Sequence, residues 1–407
     1  MTQTKMRPIR DTISFGEALG LVLDTATPLT STERVPLTDA NGRVLAVDVV
    51  ATRDVPPFDR AAMDGYAVIA EDTFGACRQG PRTLRCVETV HTGRVPTERL
   101  ERGGCSEIAT GAPIPEGADA VVMVEETDRR ADGTVEIFTP VYPRQHVGRR
   151  GADIVAGQTV LASGDVLTPS RVGAIAALGI AEIDLFARPR VAILSTGNEV
   201  IDPGQPLGPG QIYDINRFTL GAVIVEHGGV AVSHPTAADT LESLGAAIDA
   251  CLDHDLLVFS GGSSVGERDL TLDALQAKGE VVFHGIAVKP GKPTVFGRIG
   301  QTPVLGMPGY PTSCLSNAHL LLVPLLRRLA HLPPHRMPSV TVPAARRFVS
   351  TTGRHQLYTV RVEDGVAVPA FKASGDITSM SQADGYVEIP AQTDIVEKGE
   401  MVEVKLF

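Results

Sequence analysis

Leu256-Leu257-Val258-Phe259-Ser260-Gly261-Gly262-Ser263-Ser264-Val265-Gly266-Glu267-Arg268-Asp269 decides the fold. An apolar run ends abruptly in serine and glycine, and a helical pattern, Leu270–Lys278, follows at once. A short continuous apolar run bounded by turn residues reads as a strand buried on both faces. The same grammar recurs on either side. Val191–Leu194 leads into Ser195-Thr196-Gly197-Asn198-Glu199, and Val304–Leu305 leads into Gly306-Met307-Pro308-Gly309-Tyr310-Pro311-Thr312-Ser313. Val281–His284 is a further apolar run, and Phe218–His227, Thr240–Leu252 and Ser313–Leu329 read as helices. Strands alternating with helices predict an α/β domain with a parallel sheet covered on both faces.

Ligands of open α/β sheets bind beyond the carboxyl ends of the strands. The three loops quoted above lie there. Small residues let backbone N–H groups come close to an anion, and a helix N-terminus adds favourable partial charge. One such loop is equally a plain turn. Three at one sheet edge describe a cradle for phosphate or a phosphorylated heterocycle. Between the second and third loops lies Val288-Lys289-Pro290-Gly291-Lys292-Pro293-Thr294. Its two lysines, on a loop stiffened by proline, read either as a solvated turn or as point cations for an oxyanion. Glu199 and Asp269 lie on the ligand-side loops. Asp64, with Asp59 and Arg60, interrupts the otherwise apolar, proline-bounded segment from Pro56 to Val68, and Asp153 follows Arg149-Arg150-Gly151-Ala152. Asp64-Gly65 also reads as a turn and Asp153 as a surface loop. Carboxylates beside bound phosphate commonly serve Mg²⁺, which takes hard oxygen ligands.

Outward from this core the texture changes. Ser14–Thr25 has helical spacing, with Ser14 as N-cap and Glu17 three residues on. Residues from about 54 to 150 alternate short β-like runs (Tyr66–Ile69, Thr83–Val87, Ala120–Val124, Val135–Phe138) with glycine and proline, and Asp132-Gly133 signals a hairpin. Pro169–Leu178 reads as a helix closed by Gly179. The residues after Leu332-Pro333-Pro334 are again β-like. These breaks divide the chain into 1–53 with 148–187 as an N-terminal linking domain, 54–147 as a small β-rich insert, 188–332 as the α/β domain and 333–407 as a C-terminal β domain, expected to be a small barrel.

Composition limits the function classes. The 407 residues carry a formal net charge of −11 with 43% hydrophobic and 21% charged residues, an ordinary globular balance. An acidic chain with 4% aromatic residues and no tryptophan is not expected to bind nucleic acid or an anionic membrane non-specifically. The five cysteines show neither disulfide-framework nor zinc spacing. Met1–Asp11 has no apolar signal-peptide core, and Val172–Ala181 and Leu320–Leu326 are too short to span a bilayer. The expectation is a cytoplasmic protein. His227, His234 and His284 lie on separate elements without metal-ligand spacing. There is no Walker lysine loop, nucleophile elbow or dinucleotide fingerprint. Lysines, carboxylates and an anion cradle suggest group transfer at phosphorus or an oxyanion.

The run from Pro57 to Val68, the Ser195–Glu199 loop, the Gly261–Asp269 loop, Lys289–Pro293 and Gly306–Ser313 together resemble the molybdopterin molybdenumtransferases, which include bacterial MoeA and the gephyrin E-domain. The resemblance runs from the Ser14 helix to the C-terminal β domain. It implies a four-subdomain homodimer built around a molybdopterin-binding-like α/β domain. It implies that molybdate is inserted into adenylated molybdopterin, that the adenylate is cleaved and AMP leaves, and that Mg²⁺ assists. It implies further partners among the proteins of molybdenum cofactor biosynthesis and the apo-molybdoenzymes, but no nucleic acid and no membrane.

Position by position, the resemblance implies that Asp64, Asp153, Glu199 and Asp269 are functional carboxylates and that Lys289 and Lys292 bind the oxyanion. Asp239 and Asp269 are the implied metal ligands. Thr196, Gly197, Gly261, Gly262, Ser263, Ser264, Gly309 and Ser313 are the implied substrate-binding residues, with Arg354, Arg361 and Ser374 in the C-terminal domain. The chain departs from the family at Ser263 and Thr312, where many members have valine, and at Tyr310, where many have asparagine. Thr359 stands at a common arginine position, and Arg361 lies two residues on. Two other readings share the α/β core: adenylyl transfer from ATP to molybdopterin, and a non-catalytic scaffold. The matching flanking domains and the complete set of motif carboxylates favour the insertion enzyme.

Overall fold

The computed structural model describes residues 11–261 and 270–407. The chain forms two compact units: Met1–Glu33, Gly42–Val44 and Leu185–Phe407 make one, and Arg34–Asn41 with Leu45–Asp184 make the other.

The first unit is built on a six-stranded sheet of β1 (Arg190–Ser195), β2 (Val230–Ser233), β3 (Leu256–Ser260), β4 (Glu280–His284), β5 (Val295–Ile299) and β6 (Thr302–Met307), in the order β2-β1-β3-β6-β5-β4. Alternation along β1 shows why both faces are covered. Val191 and Ile193 enter one core with Leu220, Ile224, Leu321 and Leu325, while Ala192 and Leu194 enter another with Leu244, Ile248 and Leu275. Each such leucine or isoleucine contributes about 1.5–3 kcal/mol by leaving water. Helices Phe15–Thr25, Asn216–Glu226 and Val323–Leu329 cover the first face, and Leu241–Asp249 and Leu270–Lys278 cover the second. A π-helical turn, Ala318–Leu322, precedes Val323–Leu329, where Pro324 cannot donate a backbone hydrogen bond.

The sheet is mixed, not parallel throughout as expected. β1, β2, β3 and β6 are parallel, but β5 pairs antiparallel with both β6 and β4. The cause is a tight turn: Gly300, at φ +59°, and Gln301 reverse the chain from Ile299 to Thr302. A two-residue connection can join only antiparallel strands. β4 therefore points the same way as β6, and its carboxyl end joins the ligand edge.

The N-terminal helix packs within the unit that holds the α/β sheet. Its buried Ala18 and Val22 meet the apolar face that carries Leu325 and Leu329. Ser14 caps it as expected, accepting the Glu17 N–H at 3.2 Å. The C-terminal strands form a second sheet around Val342, Phe348, Val360, Val387 and Val404. Its edge strand is Val288–Lys289, paired parallel with His355–Gln356.

The second unit holds a six-stranded sheet in the spatial order Ala120–Met123, Gly65–Val68, Gly104–Ile108, Arg82–Val90, Thr134–Ile137 and Thr127–Arg129. The expected hairpin forms at Asp132-Gly133: Gly133 takes φ +87°, and Asp132 Oδ1 accepts the Thr134 N–H at 3.0 Å. Helix Pro169–Ala177 is capped by Thr168 and followed by Gly179 at φ +77°.

Candidate functional site

Strand register sets the site. Ser195 of β1 aligns with Ser260 of β3, and Ser260 aligns with Met307 of β6, so three strands end in one row. Gly306 aligns with Val295, and Val295 with His284, which brings the Gly285–Thr294 loop to the same edge.

Beyond that row the backbones nearly touch. Thr196 N–H donates to Ser260 O at 2.9 Å. Gly261 adopts φ +102°, and a Cβ there would stand 2.5 Å from Thr196 O. A Cβ on Gly309 would stand 3.5 Å from the Gly261 Cα. At Gly261 it is glycine that lets these loops converge, while the approach at Gly309 is ordinary van der Waals contact. Gly197, at φ +134°, lies under the Glu199 carboxylate, whose Oε2 would be 2.7 Å from an added Cβ. Glu199 itself is exposed. Asn198 N–H donates to Asp239 Oδ2 at 3.3 Å, which brings Asp239 to the Glu199 loop. Gly262, Ser263, Ser264 and Asp269 lie outside the described residues.

Among the described residues, several buried polar atoms at this edge have no hydrogen-bond partner: Ser195 Oγ, Thr196 Oγ1 and Asn216 Oδ1. An unsatisfied buried polar group costs about 1–3 kcal/mol. Three together at the strand ends suit a surface that takes a polar ligand. Asn216 was not anticipated. Its Nδ2 donates to Gly309 O at 2.8 Å, pinning the third loop to the helix Asn216–Glu226. Nearby, Asp214 accepts the Arg217 N–H at 3.0 Å, and its carboxylate pairs with the Arg217 guanidinium at 3.3 Å. The Asp-x-Asn spacing ahead of a helix was the available signal.

The two lysines stand on separately braced backbone. Lys289 Nζ donates to Thr351 Oγ1 at 2.7 Å and lies 6.0 Å from the centre of the Phe371 ring. Lys292 is half-buried, and its carbonyl accepts the N–H groups of Ile286 and Thr294, each at 3.0 Å. Arg354 lies in the same turn as Thr351, whose carbonyl accepts its N–H at 3.2 Å. Ser374 reaches the third loop, its carbonyl accepting the Thr312 N–H at 3.2 Å. Thr312, a departure from the family, donates its hydroxyl to Asp376 O at 2.9 Å and meets Ser379 Oγ at 3.1 Å. Tyr310, another departure, is 66% exposed beside Gly375. Ser313 is buried. Arg361 is not brought to this group. It is exposed, paired with Glu363 at 2.9 Å, and stands five residues along its strand from Gln356, the partner of Lys289. That offset is about 17 Å in an extended strand.

Asp64 and Asp153 belong to the other unit. Asp64 Oδ1 accepts both the backbone N–H of Thr110, at 2.7 Å, and its hydroxyl, at 2.9 Å. These two donors, backbone first, hold the exposed carboxyl below the usual aspartate range. Thr110 was not anticipated. Asp153 is exposed, its N–H bound to Val55 O at 3.0 Å. Around it Asp54 accepts Arg150 Nε at 2.6 Å, and Asp59 accepts the Arg150 N–H at 2.8 Å.

A cavity of about 760 Å³ in the first unit holds none of the predicted site residues; Phe15, Leu19, His319, Arg327, Met337 and Lys405 are among those lining it. Among the described residues, no three His, Cys, Asp or Glu side chains converge to hold a metal. No described helix is long and apolar enough to cross a membrane.

Comparison with known proteins agrees with this layout. The MoeA N-terminal region (domain I and II) matches residues 13–179, the probable molybdopterin binding domain matches 192–328, and the MoeA C-terminal region (domain IV) matches 341–407. Molybdopterin molybdenumtransferase 2 of Mycobacterium tuberculosis is 39% identical over 386 residues, covering 91% of this chain and 94% of the relative. Molybdopterin molybdenumtransferase of Haemophilus influenzae is 34% identical over 386 residues, covering 93% and 94%. The crystal structure of a molybdopterin biosynthesis MoeA protein from Pyrococcus horikosii superposes with a TM-score of 0.84 at 41% identity, covering 97% of this chain and 99% of that one. With the likeness sustained through every domain, in sequence and in fold, the chain belongs to the molybdopterin molybdenumtransferase family, the transferases of molybdenum cofactor biosynthesis.

Proposed function

We propose that this protein inserts molybdate into adenylated molybdopterin, cleaving the adenylate and releasing AMP. The observation that carries this reading is the convergence of Thr196, Gly261 and Gly309 at one edge, beside the lysine-bearing loop and buried polar atoms that lack partners among the described residues. Close-packed glycine backbone at strand ends seats phosphate oxygens. Lys289 and Lys292 supply positive charge for molybdate, an oxyanion that a compact ammonium group suits. As the phosphoanhydride P–O bond breaks, the loop N–H groups stabilise the developing negative charge on AMP.

Glu199 and Asp239 offer only hard oxygen donors, which fits Mg²⁺, and the resemblance implies Asp269 as a further ligand. Mg²⁺ typically completes its shell from substrate phosphates and water, so two or three protein carboxylates suffice. When bound, the ion would neutralise phosphate charge and polarise the bond to be broken. The resemblance supports a part in the chemistry for Asp64 and Asp153, and assembly into a homodimer. The proposed setting is the cytoplasm, with delivery and acceptor proteins of the same pathway as partners.

The test is incubation of the pure protein with adenylated molybdopterin, molybdate and Mg²⁺. AMP release that depends on molybdate supports the proposal. Pyrophosphate release from ATP and molybdopterin would instead make it an adenylyltransferase. Neither product would leave a scaffold. A sedimentation experiment at micromolar concentration tests the homodimer.

A further inference from the structure

We infer that Asn317 is a positioning residue for the paired lysines, locking their loop to the helix that follows the third strand-end loop. Asn317 closes the helix Pro311–Asn317 and has no exposed surface. Its Nδ2 donates to Gly291 O at 2.8 Å and to Thr294 Oγ1 at 2.6 Å. The Thr294 hydroxyl, also fully buried, donates in turn to Gly291 O at 2.9 Å. Gly291 lies between the two lysines in sequence and adopts φ +111°. A Cβ there would stand 2.4 Å from Asn317 Nδ2, so the amide rests directly on the glycine backbone.

The lock answers a mechanical problem. Lys289 is braced by strand pairing and Thr351, but Gly291 is the residue with most rotational freedom between it and Lys292. Without a clamp, the separation of the two ammonium groups would vary, and so would their distance from Ser313 on the same helix as Asn317. The side chain is also badly suited to packing alone. Its Oδ1 is buried without a hydrogen-bond partner among the described residues. A leucine would fill the interior without that penalty. An amide kept there is explained by the two acceptors it holds in place.

The inference rests on the reading of Lys289 and Lys292 as oxyanion ligands, and the experiment separates the two. Molybdate and AMP are titrated separately, by calorimetry, into the full chain and into Lys292→Ala, Asn317→Ala, Thr294→Val and Thr294→Ser, with thermal melts alongside. Lys292→Ala should weaken molybdate binding; if it does not, the lysine reading fails and this inference with it. Given that loss, Asn317→Ala and Thr294→Val should each weaken molybdate by about tenfold, as a displaced binding group does. AMP should bind them as it binds the parent, and Thr294→Ser should recover molybdate affinity. If Asn317→Ala does not fold, the Thr294 pair decides alone. Parental molybdate affinity in the clamp variants overturns the inference. So do equal losses for both ligands, which would mark Asn317 as structural only.

Discussion

Asn198 and Asp239 exchange hydrogen bonds in both directions. Asn198 N–H donates to Asp239 Oδ2, and Asp239 N–H donates to Asn198 Oδ1, each at 3.3 Å. The residues are 41 positions apart, so the pair ties the loop after β1 to the turn that leads into helix Leu241–Asp249. Asp239 therefore has two separable roles: holding the Glu199 loop and offering a charged oxygen.

Asp239→Asn separates them. An asparagine keeps an oxygen to accept the Asn198 N–H but removes the charge. If the carboxylate serves Mg²⁺, AMP release should fall at least tenfold, the Mg²⁺ requirement should rise, and stability should change by less than about 1 kcal/mol. Activity near the parent level, with an unchanged Mg²⁺ dependence, would leave Asp239 as a loop clasp only. Glu199→Gln should lose activity in the same assay, since Glu199 is exposed and its charge is not needed for folding.

Gly261→Ala and Gly300→Ala form a matched pair. Both glycines have positive φ, +102° and +59°, but a Cβ at Gly261 meets Thr196 O at 2.5 Å while Gly300 has open space around it. Gly300→Ala should cost only the conformational strain, about 1 kcal/mol. Gly261→Ala should cost about 2 kcal/mol or more in urea melts, because the strand-end loops must part. It should also lose AMP affinity. Equal costs would mean that the convergence of the loops is not built into the native state.

Much of this site was legible because it is local. Each strand-end loop is a run of glycine and serine straight after an apolar run, and Ser14 and Gly133 act within three residues of themselves. What escaped is non-local. Asn216 reaches Gly309 across 93 positions, Asn317 reaches Gly291 across 26, and Thr110 reaches Asp64 across 46. No periodicity encodes those pairings. β5 was hidden for another reason. Only Val295, Phe296 and Ile299 are apolar side chains in it, and it begins two residues after Pro293, close behind the lysine loop. Arg361 lies two residues along its strand from Thr359, a displacement that preserves the face but moves the side chain several ångströms.

Thr110 gives a pH-resolved test of Asp64. The depressed pKa of Asp64 means that its contribution to stability is present above the ordinary aspartate value of 3.8 and is lost as pH falls through the lower, folded value. Thr110→Val removes the hydroxyl donor and keeps the backbone one, so the acid limb of the stability curve should flatten below about pH 4. At pH 7 the carboxylate stays ionised in this variant, and AMP release should persist. Asp64→Asn should abolish AMP release while the melt at pH 7 stays close to the parent. An unchanged acid limb in Thr110→Val would break the link between that hydrogen bond and the ionisation of Asp64.

His319 should make the first unit acid-sensitive in a different window. Burial pushes its pKa down to about 4, with smaller contributions from the neighbouring His227 and His335. The ring stands 5.6 Å from that of Phe407. A histidine whose folded pKa lies below its unfolded value of 6.5 resists protonation only in the native state. Its stabilising contribution is therefore complete above pH 6.5 and is lost as pH falls toward 4. The loss should be of order 1–3 kcal/mol, since the site is not wholly sealed from water. His319→Leu keeps the volume and cannot take a proton. Urea melts from pH 7.5 to 4.5 should then show a shallower decline than the parent, with the remaining slope coming from His227, His234, His335 and His355, whose pKa values burial also lowers. The same decline in both proteins would mean that His319 takes up its proton without cost to the fold, and that the packing against Phe407 does not exclude the charged ring.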